Sequence, residues 1–288
     1  MRDSTSTASP SRSCFRRRGL RPLVALVAWM ALGLALSGCV IEPITGKWQF
    51  QAMPESELNV MGLEGYQQIL QDAKISNNAE YNELVTKVGR RIAAVADVRM
   101  AQEGREPFQW QFTVVDDPKQ VNAFALPGGK VAFYTGILPI CETELGVAVV
   151  MGHEVAHAYA QHGGARVSRQ FATQGALQVA MAALSGVEAS TTSQLALAAL
   201  GAGAQFAELP FSRGDESSAD QIGLILMAEA GYDPREAVQF WERMGKASGG
   251  QAPPEFLSTH PSHETQQRIS RGGCRAPWKC ISRVENPR

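Results

Sequence analysis

The sequence predicts a mainly helical α+β domain in which a small β-sheet lies beside a long apolar helix. Apolar residues recur at helical spacing from Glu80 to Val98, and a second long helix is expected from Thr143 to Gln161. Two segments between them, Phe112 to Val115 and Lys130 to Thr135, have the pattern of short strands. With 288 residues, 44% of them apolar, the chain can bury a full hydrophobic core.

The first 38 residues have the organisation of an export signal. A basic stretch from Arg16 to Arg21 precedes an apolar run from Leu23 to Leu36, shorter than the ~20 residues that a membrane-spanning helix needs. The run ends in Leu36-Ser37-Gly38-Cys39, which resembles the lipobox of bacterial lipoproteins. We therefore expect Cys39 to carry lipid and to anchor the protein to a membrane in the periplasm; an uncleaved anchor is the alternative. Val40 is not the aspartate that commonly retains lipoproteins in the inner membrane of enteric bacteria, so the outer membrane is favoured.

The charge distribution excludes one class of partner. The formal net charge is −1, but residues 1–38 hold six arginines and one aspartate, which leaves 21 basic and 27 acidic residues in the remainder. A mildly acidic body gives no reason to expect nucleic acid as a partner.

Residues 39–77 are expected to form a tether or an N-terminal strap, because the segment is mixed in character and contains Pro43, Gly46 and Pro54. The folded domain is then expected to cover residues 78–272. Its central helix should begin after Thr143, a suitable N-cap, and end at Gly163-Gly164.

Residues 170–207 are predicted to form an apolar helical insertion near the cleft, since Glu188 is the only charged residue between Arg169 and Glu208. We expect two packed helices that act as a flap. A membrane hairpin is disfavoured, because polar residues interrupt every apolar run before it reaches ~18 residues.

The C-terminal part should contain two further helices, Glu216 to Ala230 and Pro234 to Gly245. In the tail, residues 273–288, Cys274 and Cys280 are close enough in sequence for a disulfide in an oxidising compartment, or they are two thiols. Cys141 is expected to pack as a small hydrophobic residue.

The motif that carries the chemistry is His153-Glu154-Val155-Ala156-His157, in the middle of the predicted central helix. Four residues at 100° each place the second imidazole within about 40° of the first and one turn away, so both can reach one ion. Hydrolytic zinc sites use three protein ligands and leave one position for water. Glu154 lies beside the metal, where it can take a proton from that water. We therefore expect one zinc ion per chain.

The third ligand is expected from Glu216, because Glu216 and Asp220 lie one helical turn apart on one helix face. Glu216 can bind the metal while Asp220 accepts the second N–H of a ligand imidazole. A metzincin would need glycine at 160 and histidine at 163, where this chain has Ala160 and Gly163. His162 lies about 140° around the helix from His157, which predicts a surface or cap histidine.

Several blocks together resemble the HtpX and CAAX prenyl protease family of gluzincin metallopeptidases, in its soluble, lipid-anchored bacterial branch. They are Asn122-Ala123-Phe124-Ala125-Leu126-Pro127-Gly128-Gly129, Gly152 to His157, Ser212-Arg213, Glu216 to Gly223, Ala230 to Pro234, and Ser258-Thr259-His260-Pro261. The resemblance implies Glu216 as third zinc ligand and Asp220 as its supporting carboxylate. It also implies that Lys130 to Thr135 is an edge strand on which a substrate peptide lies as an added strand. The residues expected to bind substrate are Asn122, Lys130, Val131, Ala132 and Phe133.

His260 has two predicted roles, because by resemblance its loop approaches the zinc. It either donates a hydrogen bond to the oxyanion formed during attack or occupies the open zinc position in a resting state. A surface histidine packed beside proline is the third reading. The family often places an arginine shortly after His-Pro; here Arg268 is further on, which leaves its role open.

The patterns predict a zinc endopeptidase of the bacterial envelope, and the family resemblance implies that it cleaves misfolded or membrane-associated proteins. Its partners would be protein substrates, the membrane and possible envelope assembly machinery. The rival functions are a proteolytically silent zinc scaffold or chaperone in outer-membrane assembly, and a lipoprotein that only binds peptides. The intact Glu154 disfavours both rivals, since a structural zinc site needs no base.

Overall fold

The computed structural model describes residues 39–185, 210–247 and 255–260. The expected export signal, Cys274, Cys280 and Arg268 lie outside these ranges, and so do residues 186–207 of the expected insertion. Residues up to Cys39 form one unit and the chain from Val40 onward a second, larger one, which contains all the elements that build the site.

The described elements are two short strands, two helices, three further strands and then six helices. They are β1 Cys39–Ile41, β2 Trp48–Phe50, α1 Glu55–Asp72, α2 Ala79–Gln102, β3 Gln111–Val115, β4 Ala123–Leu126, β5 Lys130–Tyr134, α3 Leu138–Cys141, α4 Glu144–Tyr159, α5 His162–Ser185, α6 Arg213–Glu229, α7 Glu236–Ala247 and α8 Glu255–Thr259. The fold is therefore α+β and mainly helical, which confirms the predicted class.

The main sheet has the strand order β3-β5-β4. β5 pairs with β3 in parallel, with Phe112 opposite Val131, and with β4 in antiparallel, with Phe124 opposite Ala132. The expectation that Lys130 to Thr135 forms an edge strand is wrong, because β5 is hydrogen-bonded on both sides. Lys130, Val131, Ala132 and Phe133 are buried, and the Lys130 ammonium donates to the Gln109 carbonyl. These four residues cannot accept an added peptide strand.

The N-terminal segment is more ordered than a tether. Helix α1 buries Leu58 and Tyr66, and the Tyr66 hydroxyl donates to Thr113 Oγ1 at 2.7 Å. A Cβ placed on Gly62 would lie 2.2 Å from the Pro127 carbonyl oxygen, so α1 packs directly on the chain that follows β4. Residues 39–77 therefore include a layer of the domain, which the prolines and glycine of their sequence did not indicate.

Helix α4 is the centre of the fold. Fourteen of its sixteen residues, from Gly146 to Tyr159, are buried, which explains why its sequence is apolar on every face. The Thr143 side chain accepts a hydrogen bond from the Gly146 N–H at 3.1 Å and caps the helix as predicted. A Cβ on Gly152 would lie 2.8 Å from the Gly223 carbonyl oxygen, so these glycines allow close contact between α4 and α6.

The end of α4 differs from the sequence-based expectation. The helix ends at Tyr159, Gln161 adopts a positive φ of 57°, and α5 begins at His162. Gly163 and Gly164 therefore lie inside a new helix and do not terminate the old one. Gly164 allows α5 to lie close to α1, since a Cβ there would be 2.3 Å from Leu58 Cδ1.

The remaining helices begin close to the predicted places. The Ser212 side chain and Asp215 form a reciprocal capping box at the start of α6. Helix α7 begins at Glu236, two residues after Pro234, and Asp233 Oδ1 accepts the Arg235 N–H at 2.9 Å. Cys141 is fully buried. None of the helices within the described ranges combines the length and apolarity needed to cross a membrane.

Candidate metal centre

Two helices bring the three expected ligands together. His153 and His157 lie one turn apart on α4, and Glu216 lies on α6, which packs against it. His153 Nε2 is 3.0 Å from His157 Nε2 and 3.4 Å from Glu216 Oε2, while His157 Nε2 is 3.5 Å from Glu216 Oε1. All three side chains are buried.

His260, from the turn after α8, joins the same cluster. Its Nδ1 is 3.2 Å from His153 Nε2 and 3.1 Å from Glu216 Oε1, and the side chain is buried. Its Nε2 faces Glu154 Oε1 at 3.5 Å. The reading of His260 as a surface histidine is therefore wrong, because α8 turns the imidazole inward.

The spacing of these atoms fits zinc. Ligand atoms held 2.0–2.1 Å from one ion in tetrahedral geometry are about 3.3 Å apart. The distances between neighbouring ligand atoms here are 3.0–3.5 Å, and the donors are imidazole nitrogens and a carboxylate. The four groups His153, His157, Glu216 and His260 form a cluster able to hold a metal ion.

Buried carboxylate oxygens give a second indication that the cluster fits a cation. Among the residues that the structure describes, no side chain donates a hydrogen bond to either oxygen of Glu154 or to Oε2 of Glu216. Unpaired buried carboxylate oxygens are costly, and a bound cation would satisfy those of the ligand. Burial raises the pKa of Glu154 above its ordinary value.

Each α4 imidazole has an outer partner on its second nitrogen. His153 Nδ1 lies 3.0 Å from Asp220 Oδ1, as the spacing of Glu216 and Asp220 predicted. His157 Nδ1 lies 3.0 Å from His162 Nδ1. His162 is fully buried, so its expected surface or cap position is wrong. The helical-wheel angle fails there because α4 ends before His162.

The surroundings shift the pKa values of the two α4 histidines in opposite directions. Burial alone would lower the pKa of His153, but its hydrogen bond to Asp220 and the adjacent Glu216 carboxylate raise it well above 6.5. The pKa of His157 is lowered well below 6.5, by burial first and then by the neighbouring histidines. Burial opposes ionisation of Glu216, yet the attraction of His260 and the adjacent His153 imidazole lower its pKa to about 2.

Sequence reasoning missed a polar cluster behind His157. His162 Nε2 is 3.1 Å from Glu42 Oε1, and the Glu42 carboxylate also accepts hydrogen bonds from Thr45 and Ser218. Burial opposes ionisation of Glu42, but the hydrogen bond of His162 lowers its pKa to about 2. No spacing signal links Glu42 to His162, since 120 residues separate them.

A cation lies between the two buried carboxylates of this cluster. Lys47 Nζ is 3.3 Å from Glu42 Oε1 and 2.6 Å from Asp215 Oδ1, and Arg169 pairs with Asp215 at 2.5 Å. Burial opposes ionisation of Asp215, but the attraction of His162 and the hydrogen bond of Lys47 lower its pKa to about 2.

The residues expected to bind substrate are buried in the sheet or at its end, and they do not line an open edge. Asn122 is buried, and its side-chain oxygen accepts the backbone N–H of Ala123 at 2.9 Å. Strand β5 is central, whereas β4, which the sequence did not predict, is a sheet edge and packs against α4. Val40, which follows the expected lipidation site Cys39, is exposed.

Comparison with known proteins gives a consistent result. Residues 80–271 match the peptidase family M48. The chain is 35% identical over 231 residues to the mitochondrial metalloendopeptidase OMA1 of Schizosaccharomyces pombe, covering 78% of this chain and 64% of that protein. Over 166 residues it is 40% identical to OMA1 of Arabidopsis thaliana, covering 57% and 31%. It is 27% identical over 215 residues to the β-barrel assembly-enhancing protease of Escherichia coli, covering 72% and 41%.

These relatives refine the expected family. The chain spans between about a third and two thirds of the length of these three relatives. They are OMA1 and β-barrel assembly-enhancing proteases, not HtpX or CAAX prenyl proteases, so the narrower branch stays a prediction. Because the matched segment contains the α4 motif and the Glu216 block, the chain belongs to peptidase family M48, a family of zinc-dependent metallopeptidases.

Proposed function

We propose that this protein is a zinc-dependent endopeptidase of a bacterial envelope that cleaves misfolded or membrane-associated proteins. The observation that carries the proposal is Glu154: a fully buried carboxylate, without a side-chain hydrogen-bond partner among the described residues, beside a set of ligands with the spacing of zinc. A structural site would have no use for such a group, whereas hydrolysis needs a base there.

The roles follow from the positions of the side chains. His153, His157 and Glu216 would hold the ion, which when bound supplies Lewis-acid polarisation of the scissile carbonyl and of the attacking water. Glu154 takes the proton from that water and returns it to the leaving amine. Its raised pKa suits both transfers, because a group that accepts and then donates works best with a pKa near the working pH.

His260 is proposed to close the resting site. With its Nδ1 in the ligand cluster, the imidazole stands where substrate or water would approach, so α8 must move before cleavage. Two backbone hydrogen bonds hold α8: the Phe256 N–H donates to the Val121 carbonyl at 3.0 Å, and the Phe211 N–H to the Thr259 carbonyl at 3.2 Å. Val121 lies two residues before β4, so displacing α8 would also uncover that edge strand for a peptide.

A rival function has one observation in its favour. Four protein ligands around zinc are typical of structural sites, and His260 completes such a set. The chain would then be a proteolytically silent scaffold or chaperone in envelope assembly. The two functions differ in what they require of Glu154.

The test is Glu154→Gln, which keeps the shape of the side chain and removes its basicity. With an unfolded protein as substrate, we expect cleavage to fall to background while zinc content stays near one per chain. Wild-type protein with no cleavage under any condition, yet with full zinc, would favour the scaffold. Undiminished cleavage by the variant would remove Glu154 from the mechanism.

The location and partners are proposed from the N-terminus and the relatives. The lipobox-like Leu36-Ser37-Gly38-Cys39 favours a lipid anchor in the periplasm, with the outer membrane preferred, and the likeness to a β-barrel assembly-enhancing protease favours envelope assembly machinery as partner. The OMA1 relatives are mitochondrial. Membrane fractionation and mass of Cys39→Ser against wild type test the anchor: release and loss of the lipid mass are expected, and identical behaviour would reject it.

A further inference from the structure

We infer that Glu42 and His162 are positioning residues for the metal ligand His157, so that the N-terminal strap is part of the metal centre. The inference rests on the proposed function in one respect, that His157 binds the ion through Nε2. The rest follows from contacts between buried side chains that lie outside the HExxH motif.

The three side chains form one continuous hydrogen-bonded line. His157 and His162 face each other through their Nδ1 atoms at 3.0 Å, and His162 Nε2 reaches Glu42 Oε1 at 3.1 Å. All three are at most 1% exposed, so water does not replace any of these contacts. The line begins at the ligand and ends in a carboxylate that three further groups hold: Thr45, Lys47 and Ser218.

The protons can be arranged in one way that satisfies every atom. When His157 Nε2 binds metal, its proton is on Nδ1 and is donated to His162 Nδ1. His162 must then carry its own proton on Nε2, which it donates to the Glu42 carboxylate. The carboxylate thus fixes the tautomer of His162, and His162 fixes the ring orientation of His157.

The geometry of the chain reversal makes this line possible. Because α4 ends at Tyr159 and Gln161 has a φ of 57°, His162 is directed back toward the ligand instead of away from it. A non-glycine residue in this conformation is uncommon and has to be held by its surroundings. The Gln161 side chain accepts a hydrogen bond from Gln51, and the Ala160 carbonyl accepts one from Gln49 at 2.7 Å, so the strap also holds the turn.

A second cation site is the other function that this cluster suggests, since Glu42, His162 and Asp215 have metal-binding groups close together. The contacts disfavour it. Lys47 Nζ already bridges Glu42 and Asp215 at 3.3 and 2.6 Å, Arg169 covers Asp215, and both nitrogens of His162 are engaged. The Lys47 ammonium group therefore already supplies the positive charge between these carboxylates.

The experiment measures zinc affinity by competition with a chromophoric chelator, a readout separate from proteolysis. The variants are His162→Phe, which keeps the ring and removes both nitrogens, and Glu42→Ala. Each should weaken zinc binding by about 10- to 100-fold, the usual cost of removing an outer-shell partner. His162→Gln can accept a hydrogen bond from His157 and donate one to Glu42, so it should keep most of the zinc affinity. Glu42→Gln keeps an acceptor oxygen for His162 and should do the same.

The matched control is Glu55→Ala. Glu55 is also a strap carboxylate and pairs with Arg105 at 2.7 Å, and Arg105 donates to the Tyr159 carbonyl at the end of α4, but this route does not reach an imidazole. The zinc affinity of the Glu55→Ala variant should stay within about threefold of wild type. Thermal unfolding of the metal-free variants identifies any that fail to fold, in which case the glutamine variants supply the comparison.

A double variant completes the test, because substitutions in one hydrogen-bonded line do not have additive effects on the free energy of zinc binding. Glu42→Ala with His162→Phe should bind zinc no more weakly than His162→Phe alone. Multiplied losses, equal losses in Glu55→Ala, or a stoichiometry that drops from two zinc ions to one with unchanged affinity would overturn the inference. Wild-type protein that binds no zinc would contradict the proposed function instead.

Discussion

The two imidazoles of α4 are supported in different ways. Behind His153 stands Asp220, one helical turn after the ligand Glu216 on the same helix, so one short segment supplies both a ligand and a positioning carboxylate. Behind His157 lie His162 and then Glu42, which belongs to the N-terminal strap and also accepts a hydrogen bond from Ser218 of α6. The first support is local to the catalytic helices, whereas the second ties the metal centre to the N-terminal segment. We infer that the ligand motif depends on supporting contacts that its own residue spacing does not contain.

The largest expected effect comes from combining the two supports. Asp220→Ala should weaken zinc binding about 10- to 100-fold, as should Glu42→Ala, and because they act on different ligands the double variant should lose about 100- to 10,000-fold. Chelator competition measures all three affinities. A double variant no worse than either single one would break the comparison, since the two supports would then act as one.

His260 extends the comparison, because its Nδ1 contacts His153 and Glu216 while its Nε2 faces the expected base Glu154 at 3.5 Å. If it closes the resting site, His260→Ala should raise basal proteolysis severalfold and leave zinc bound through the other three ligands. If it donates to the oxyanion, the same variant should lower the chemical step by about two to three orders of magnitude. Steady-state cleavage of one unstructured substrate at matched zinc content decides, and rates within about twofold would reject both roles.

The smallest expected effect is the pH dependence of the free energy of unfolding that Glu42 contributes. Glu42 has a pKa of about 2 in the folded chain against 4.5 for a free glutamate, so its ionised form stabilises the fold fully above pH 4.5. That contribution, on the order of 1–3 kcal/mol, is lost as the pH falls from 4.5 toward 2. Urea unfolding of wild type and Glu42→Gln in excess chelator measures it. The stability difference should shrink with acidification, and parallel curves would show that Glu42 does not supply the acid-sensitive part.

The metal centre was predictable wherever it depends on helical periodicity. The four-residue spacing of His153 and His157, and the same spacing of Glu216 and Asp220, place each pair on one face of a helix whatever the rest of the fold does. In the structure, His153 and His157 lie side by side, and Asp220 contacts His153, as expected. The chemistry of these residue types then predicts zinc as the metal and Glu154 as the base.

The remaining features depend on contacts distant in sequence. The orientation of His162 follows from the backbone of one residue, Gln161, and its partner Glu42 is 120 residues away. The order of the three strands is set by pairing between distant segments. The family resemblance implied that β5 is an edge strand, but β5 is central and the edges are β3 and β4. β4 has the sequence Ala-Phe-Ala-Leu, without β-branched residues, which is why it gave no strand signal.

X-ray absorption at the zinc edge of the purified wild-type protein tests the central claim most directly. The account predicts one zinc ion per chain with nitrogen and oxygen ligands only, at about 2.0–2.2 Å, and with imidazole scattering from at least two histidines. Sulfur at about 2.3 Å in the first shell, or a folded protein that binds no zinc when it is supplied, would contradict it.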